Sequence, residues 1–338
     1  MTISSATTRQ GCACGLPPSP PGRTGWPWDE TTPGIQAAAT EDAGLACPRI
    51  TIVTPSFNQG KYLEGTIRSV LLQGYPNLEY IVMDGGSTDG SVEIIKKYEP
   101  WLSYWVSEKD RGQSHAINKG FARASGEVFG WLNSDDFYFP NAFFALMELR
   151  RKSPDTIAWV GACREIDGED AYIRTNIPRL GPVREVGDWG EKTHFFQPSC
   201  LFSACDFMQV GGVNENLHYV MDVELWMKLM RRGSFASTDV ICSSARSYKE
   251  AKTFRDFEAK LAEFVAINVY FGEGAIASAI LKRYKNRTIS SLTADDILER
   301  FTLGDMMDSM GNMHLVKTLW QYGCRKVRRG IRRRFRRR

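Results

Sequence analysis

The chain has 338 residues, 43% of them hydrophobic and 24% charged, with a formal net charge of +4. This length suffices for one large or two moderate domains, and the composition is typical of a globular protein. Its apolar runs are too short for a membrane span, and the N-terminus lacks the layout of a secretory signal. The eight cysteines lie mostly in apolar segments, which favours reduced, buried thiols and a cytoplasmic protein over a disulfide framework.

Residues 1–48 differ from the rest in being rich in Gly, Pro, Ser, Thr and Ala. This composition predicts an extended or disordered N-terminal extension. Trp26 and Trp28 carry rings that are costly to leave in water, so we expect this part to dock on the folded body. It would serve there as packing alone or as a lip over the active site. Cys12 and Cys14 resemble half of a metal site, but no second pair lies at usable spacing.

Apolar runs and helical patterns alternate from Arg49 onwards, which predicts βαβ units and a parallel sheet. The predicted strands are 49–55, 78–84, 102–107 and 127–132, and the predicted helices are 61–73, 90–99 (with Asp89 as its N-cap), 113–124 and 140–152.

Past residue 153 the alternation weakens. We predict a strand at 156–163, short helices at 204–210 and 222–230, and a long helical stretch at 254–283 that is broken near Gly272. The predicted domains are the extension 1–48, an α/β domain 49–245 with halves 49–153 and 154–245, a helical region 246–322, and a basic tail 323–338.

Acidic or small polar residues follow three of the apolar strands, in the segments 55–58, 84–90 and 133–136. The carboxyl ends of parallel strands meet at one crevice, where ligands bind. We therefore expect Asp84, Asp135 and Asp136 to lie in one acidic pocket. Carboxylates repel each other unless a divalent cation or a hydrogen-bonding ligand lies among them.

The residue types around this pocket suit a metal-bridged diphosphate. Neighbouring residues at a strand end point opposite ways, so one carboxylate of Asp135 and Asp136 can face a sugar and the other a metal. Mg2+ and Mn2+ use one or two carboxylates together with phosphate oxygens. Arg111 adds a cation beside a predicted helix start, where phosphate binds well. Asp222 is a candidate general base for an acceptor hydroxyl.

Each of these features also has a structural interpretation. Asp135 and Asp136 could cap the helix that begins near Pro140, Asp222 could cap its own helix, and Arg111 could form a surface ion pair. His115 and His194 fit structural roles better than metal ligation.

Taken together, the motifs closely resemble those of the inverting family 2 glycosyltransferases of GT-A fold. The resemblance covers about two-thirds of the chain. The matching segments are 54–58, 69–73, 84–90, 110–114, 116–120 and 133–136, followed more loosely by 197–199, 211–215, 221–222 and 225–226.

The resemblance implies a mixed, Rossmann-like α/β sheet flanked by helices, with a helical C-terminal region. It implies a nucleotide-diphosphate sugar donor of UDP or dTDP type, bound by the half 49–153, and an acceptor bound by 154–245. Asp84 would hold the base, Asp135 the ribose or sugar, Asp136 a divalent cation (Mn2+ or Mg2+), and Asp222 would be the catalytic base. The implied donor-binding residues are Pro55, Ser56, Phe57, Asn58, Asp84, Gly85, Arg111, Gln113, Ser114, Asn118 and Asp135.

Some positions depart from the family pattern. Met221 stands where relatives often have Glu, His115 where many have Asp, and Tyr248 where a late His is common. We therefore expect the contacts near the donor to differ from those of relatives, with Tyr248 in place of the late His. The Gln-x-x-Arg-Trp element of processive synthases is absent, which favours transfer of a single sugar.

The charge is concentrated at the C-terminus. The segment 325–338 carries ten Lys or Arg and no acid, so the remainder of the chain has a net charge of −6. We expect this tail to bind an anionic membrane surface, which suits a peripheral protein on the inner face of the membrane and a glycan or lipid-linked acceptor in envelope polysaccharide assembly. A solvated tail and a nucleic-acid contact are the alternatives, although nothing else resembles a nucleic-acid module.

Other functional classes fit less well. A nucleotidyltransferase acting on sugar phosphates would carry a basic, Gly-rich loop after its first strand, where this chain has Ser56 to Gly60. A dehydrogenase would carry a Gly-x-Gly-x-x-Gly motif after a strand, which the chain lacks. A catalytically silent relative that binds sugar nucleotides or glycans stays open.

Overall fold

A computed structural model describes residues 15–30, 47–188, 194–249, 251–252 and 257–284. They form two compact units that interleave along the chain. The first unit takes the described residues of 1–180, 195–212 and 232–247, and the second takes those of 181–194, 213–231 and 248–338. The basic tail, Cys12 and Cys14 lie outside the described residues, and the predicted functional halves stay predictions.

The N-terminal half of the first unit contains the predicted parallel sheet. Its strands are β1 (Ile50–Ser56), β2 (Leu78–Asp84), β3 (Tyr104–Ser107) and β4 (Val128–Trp131). β1 lies between β2 and β4, parallel to both, and β3 is parallel to β2. Every residue of β1 and β4 is buried, which explains why these strands are nearly continuous apolar runs.

Beyond β4 the sheet becomes mixed. It continues with β5 (Phe137–Tyr138), β6 (Thr156–Ile166), β7 (Tyr172–Asn176), β8 (Cys200–Ser203) and β9 (Ser234–Arg246). The strand order among the described residues is β3-β2-β1-β4-β8-β6-β9-β5, with β7 paired to β6. β8 is antiparallel to β4 and β6, whereas β6 and β9 are parallel. The mixed sheet expected from the resemblance is confirmed.

Helices cover the sheet of the first unit at the predicted places, mostly shortened by one to three residues at an end. They are α1 (Gly60–Leu71), α2 (Ser91–Tyr98), α3 (Gln113–Phe121) and α4 (Ala142–Lys152). The prediction that Asp89 caps α2 is wrong, because Gly90 occupies that position with a φ of 93°. Asp89 instead accepts hydrogen bonds from Ser91 and from the backbone N–H of Gly60.

The second unit is helical in its described part. It contains the short helix α5 (Val183–Val186) and the helices α7 (Met221–Met230), α8 (Phe257–Tyr270) and α9 (Gly274–Tyr284). The short helix α6 (Ala204–Gln209), which comes between α5 and α7 in the chain, belongs to the first unit. Gly272, with a φ of 82°, separates α8 from α9, which confirms the predicted break. Leu261, Val265, Ala277 and Ile280 form the buried contact between these two helices. None of the helices in the described residues is both long enough and apolar enough to cross a bilayer.

Residues 15–30, which we call the N-terminal strap, lie against the first unit. The indole N–H of Trp26 donates to the carbonyl of Tyr138 at 2.7 Å. The buried guanidinium of Arg68 in α1 donates to the carbonyls of Pro17, Pro27 and Trp28 at 2.8–2.9 Å. One arginine side chain thus fixes three points of the strap on the helix beneath it.

The cysteines of the described residues are free, with Cys163, Cys200 and Cys242 buried in the sheet region and Cys205 exposed. Burial raises the pKa of these three thiols, which makes them poor nucleophiles.

Candidate active site

The loop after β2 is organised by Asp84. This buried carboxylate accepts hydrogen bonds from the backbone N–H groups of Gly86 and Ser87 and from the hydroxyls of Ser87 and Ser107, at 2.5–3.1 Å. Four protein donors are about as many as a carboxylate can accept. Asp84 therefore shapes the loop, and its predicted contact with the donor base stays a prediction.

The loops that follow β1 and β2 are joined by Asn58. Its backbone N–H donates to the Ser87 hydroxyl at 2.8 Å, and its side-chain oxygen accepts from the N–H of Thr88 at 2.9 Å. Asn58 has a φ of 52°, in the left-handed region that Asn tolerates better than most residues. In the structure, Asn58 of the predicted donor-binding segment 55–58 therefore links the loops after β1 and β2.

The backbone at Gly85 packs closely against its neighbours where β1 and β2 end. Gly85 donates its N–H to the carbonyl of Ser56 at 2.8 Å, and a Cβ on Gly85 would come within 3.0 Å of the Asp110 carboxylate and 3.3 Å of the Phe57 ring. Phe57 is 61% exposed, which is unusual for a large aromatic side chain at a strand end. Asp110, which also accepts from the N–H of Gly112, was not among the predicted site residues. The close approach of Asp110 and Phe57 explains why glycine occupies position 85.

Asp135 and Asp136 follow β4 and differ in exposure. The Asp136 carboxylate is buried, accepts from the backbone N–H of Arg246 at 2.8 Å and lies 3.4 Å from the Asn133 amide, whereas Asp135 is half-buried. Burial, followed by the negative charge of Asp135, raises the pKa of Asp136 well above its usual range. Neither residue caps α4, which begins after Asn141, so that interpretation is wrong.

Arg246, at the end of β9, is the site residue that the sequence reasoning missed. Its side chain donates to the carbonyls of Asp135 and Asp167 at 2.8 and 3.0 Å, pairs with Asp170 at 2.6 Å, and lies over the ring of Tyr62. Its sequence signal was its place two residues before Tyr248, the position where a late His is common in relatives. It fixes the loop of the two aspartates from a distance of more than a hundred residues along the chain.

A chain of amide side chains joins the start of α3 to this loop. Gln113 donates to the Asn133 side-chain oxygen at 2.7 Å, and the Asn133 amide in turn lies near Asp136 and Gln197. Gln197 donates to the carbonyl of Trp131 at 2.7 Å. Gln113 and the aspartate pair therefore belong to one polar network.

Three further residues predicted to bind the donor lie just before α3 or within it, namely Arg111, Ser114 and Asn118. Arg111 is exposed and donates its backbone N–H to Nδ1 of His115 at 3.2 Å, which agrees with a structural interpretation of this histidine. Ser114 is buried, and the Asn118 side chain comes within 2.8 Å of where a Cβ on Gly212 would lie.

Two further predicted donor-binding residues lie at the end of β1. Pro55 is buried there, and the Ser56 hydroxyl is buried with no hydrogen-bond partner among the described residues.

Asp222 lies in the second unit, in the first turn of α7, whose N-cap is Val220, so Asp222 is not the cap residue. It accepts from the N–H of Val223 at 2.8 Å and is partly buried. Burial raises its pKa to about 6, with a smaller upward contribution from Glu263 that opposes the downward effect of Lys252. A carboxylate with this pKa is ionised and still basic near neutral pH, as a general base requires.

The aspartate pair fits a divalent cation. Among the described residues no group of three or more His, Cys, Asp and Glu side chains converges, so protein alone does not complete a metal shell. Mg2+ and Mn2+ nevertheless bind through one or two carboxylates when phosphate oxygens and water supply the rest. Asp135 is the more accessible of the pair, and the desolvated Asp136 adjoins it.

Comparison with known proteins agrees with this geometry. The profile of glycosyl transferase family 2 matches residues 51–209. An uncharacterised glycosyltransferase of Rickettsia typhi is 28% identical over 226 residues, which cover 65% of this chain and 70% of the relative. Chondroitin synthase of Escherichia coli is 25% identical over 72% of this chain but only 35% of its own length, and one relative from Rickettsia felis is likewise matched over 35%. The chain thus spans about a third of some relatives and two-thirds of another.

Solved structures show the same fold. S. aureus TarS in complex with UDP-GlcNAc superposes with a TM-score of 0.55 at 15% identity, over 80% of this chain and 81% of that one. A mannosyltransferase of Pyrobaculum calidifontis in complex with GDP-Man and Mn2+ gives a TM-score of 0.50 at 16% identity, over 82% and 87%. The fold is of the GT-A type. Residues 51–209 match glycosyl transferase family 2, which confirms the resemblance over that segment.

Proposed function

We propose that the protein is a metal-dependent inverting glycosyltransferase, which moves one sugar from a nucleotide-diphosphate sugar of UDP or dTDP type to a hydroxyl of a glycan or lipid-linked acceptor. The observation that carries this proposal is the pair Asp135 and Asp136 at the carboxyl end of β4, inside the family 2 domain. Support also comes from two solved structures of the same fold, which hold UDP-GlcNAc in one case and GDP-Man with Mn2+ in the other.

The donor nucleotide would lie at the ends of β1 and β2. The exposed Phe57 ring can stack on a base, and it lies beside Gly85 and the Asp110 carboxylate, where the loops after β1 and β2 meet. Asn58 and Asp84 keep both loops in place, while Arg111 offers a cation near the start of α3 for the diphosphate. Gln113, Ser114 and Asn118 would complete the donor side.

Asp135 and Asp136 would hold the divalent cation, with Asp135 also within reach of the ribose or sugar. When bound, the cation would neutralise the charge that develops on the departing diphosphate. Arg246 and Asn133 keep Asp136 oriented through the contacts at 2.8 and 3.4 Å.

Asp222 would remove the proton from the acceptor hydroxyl. The acceptor oxygen then bonds to the anomeric carbon as the bond from that carbon to the diphosphate oxygen breaks, and the configuration inverts. The pKa of about 6 places the ionised form of Asp222 in the majority at neutral pH.

The first test is a thermal-shift panel with UDP, dTDP, GDP and CDP, each with and without Mn2+. A ligand at about a hundred times its dissociation constant adds roughly 2.7 kcal/mol to the free energy of unfolding. We expect one nucleotide to stabilise the protein only with metal. No response to any nucleotide would contradict donor binding.

Three substitutions separate the roles. Asp136→Asn and Asp135→Asn are expected to remove the metal-dependent part of the nucleotide shift, whereas Asp222→Asn is expected to keep it and lose transfer. An unchanged metal-dependent shift in both Asp135→Asn and Asp136→Asn would contradict the metal assignment. Nucleotide binding in Asp222→Asn without any loss of transfer would contradict the base assignment, and binding without transfer in the parent protein would indicate a silent relative.

A further inference from the structure

Glu263 in α8 is a fully buried carboxylate. It accepts three backbone hydrogen bonds, from the N–H groups of His218, Tyr219 and Val220, at 2.9, 2.7 and 3.2 Å. Burial of a charge is costly unless it is well hydrogen-bonded. These three donors supply that compensation, so Glu263 and the segment 218–220 hold each other in place.

The segment 218–220 leads directly into α7. The N-cap residue Val220 has no side chain that could cap the helix. The first N–H groups of a helix lack partners within it, and a negative charge at that end is favourable. The Glu263 carboxylate, which comes from another helix, accepts from the N–H groups of the N-cap residue Val220 and of the two residues before it, so it holds the chain where it enters the turn in which Asp222 lies.

We propose that Glu263 is a positioning residue, which fixes the backbone at 218–220 and thereby the orientation and basicity of Asp222. This inference rests on the proposed role of Asp222 as general base. Because Val220 and Asp222 are two residues apart, a backbone fixed at three successive N–H groups leaves little freedom at the start of α7.

The charges around Asp222 add a second consequence. The groups that act on it are Glu263, which is negative, and Lys252 and Lys260, which are positive. Lys260 lies three residues before Glu263 in α8, so the two side chains share one side of that helix. Glu263 raises the pKa of Asp222, and neutralising Glu263 is therefore expected to lower it.

The test compares Glu263→Gln with Asn268→Ala. Asn268 is a matched control because it lies in the same helix, is fully buried, and donates to the carbonyls of Gly187 and Phe264 at 2.8 Å, away from 218–220. The assay is release of nucleoside diphosphate from UDP-, dTDP-, GDP- and CDP-glucose with water as acceptor, below the melting temperature of each variant.

For Glu263→Gln we expect kcat to fall at least tenfold, the donor KM to stay within about twofold, and the acid limb of the kcat–pH profile to move to lower pH. Asn268→Ala should lose stability but keep the parent kcat and profile. Glu263→Asp keeps the charge on a shorter side chain, so it should lower kcat without moving the acid limb, and it replaces the first variant if that one does not fold.

The inference is overturned if Glu263→Gln loses stability as Asn268→Ala does while its kcat and pH profile match the parent. That result is distinct from failure of the proposed function, which Asp222→Asn with the parent's release rate would show. A substrate-free readout completes the test. The pH midpoint of the stability difference between each protein and its Asp222→Asn form should lie lower in the Glu263→Gln background.

Discussion

At the scale of single residues, the unusual feature of Asp222 is that it is both partly buried and ionisable near neutral pH. Its pKa in the folded protein, about 6, lies above the ordinary value of 3.8. The folded state therefore holds this proton more tightly than the unfolded state does. The contribution of Asp222 to the free energy of unfolding is full below about pH 4 and is lost as the pH rises towards 6.

Asp222→Asn removes this dependence. The difference in free energy of unfolding, variant minus parent, is expected to be about 1–3 kcal/mol larger at pH 8 than at pH 4. This range allows for the partial exposure of the carboxylate. Urea denaturation at the two pH values measures it. Asp206→Asn, which breaks the ion pair with Arg232, is the control and should lower stability at pH 8 instead. A gain that is equal at both pH values would show that the carboxylate is not destabilised by burial.

At the scale of elements, the N-terminal strap depends on one side chain of α1. The guanidinium of Arg68 donates to three strap carbonyls and to the Tyr98 hydroxyl. Removal of Arg68 would take the donor from the carbonyls of Pro17 and Pro27, while the Trp28 carbonyl would keep the Ser19 hydroxyl, and the loss of donors to such carbonyls is costly.

Arg68→Met is therefore expected to lower the free energy of unfolding by about 2–4 kcal/mol and to make the strap an early site of tryptic cleavage. Denaturant unfolding and limited proteolysis followed by mass spectrometry measure the two effects. Arg123→Met provides the control, since Arg123 is exposed, lies over the ring face of Tyr104 and acts on Glu108, both of which lie outside the strap. A strap that resists cleavage in Arg68→Met would show that Trp26 and its bond to Tyr138 suffice.

The elements that could be predicted from the sequence are those with a clear local pattern of apolar and polar residues. β1, β2 and β4 are buried apolar runs, and the polar residues after them mark the crevice. β8 and β9 escaped prediction because they pair with strands distant in the chain: β9 mixes serines with small residues, and β8 is four residues long. Arg246 and Glu263 were missed for the same reason, since each acts on a segment more than forty residues away.

At the scale of the whole molecule, charge is separated along the chain, with ten Lys or Arg in 325–338 and none of the acids. Basic residues near an anionic leaflet contribute about 1 kcal/mol each, and salt weakens the attraction. The family 2 domain has no obvious need for such a segment in donor chemistry. We therefore propose that the tail attaches the protein to an anionic membrane surface, beside a lipid-linked or envelope glycan acceptor.

Deletion of residues 323–338 is expected to abolish binding to vesicles that contain anionic lipid, without loss of the metal-dependent nucleotide shift. Co-sedimentation at low and high salt measures it, with neutral vesicles as the control. Vesicle binding that survives the deletion would contradict the assignment, and salt-sensitive binding of duplex DNA that exceeds vesicle binding would favour a nucleic-acid partner.

The interleaving of the two units has a practical consequence. The segment matched by the family profile ends at residue 209, but β9 begins at Ser234 and forms the partner of both β6 and β5. A fragment cut at that boundary would leave the eleven-residue β6 with an open edge, to which other chains can add. The same cut would retain 181–194 while discarding α7, α8 and α9. A fragment that keeps the sheet of the first unit intact must therefore extend past residue 209 at least to the end of β9, although the profile match ends earlier.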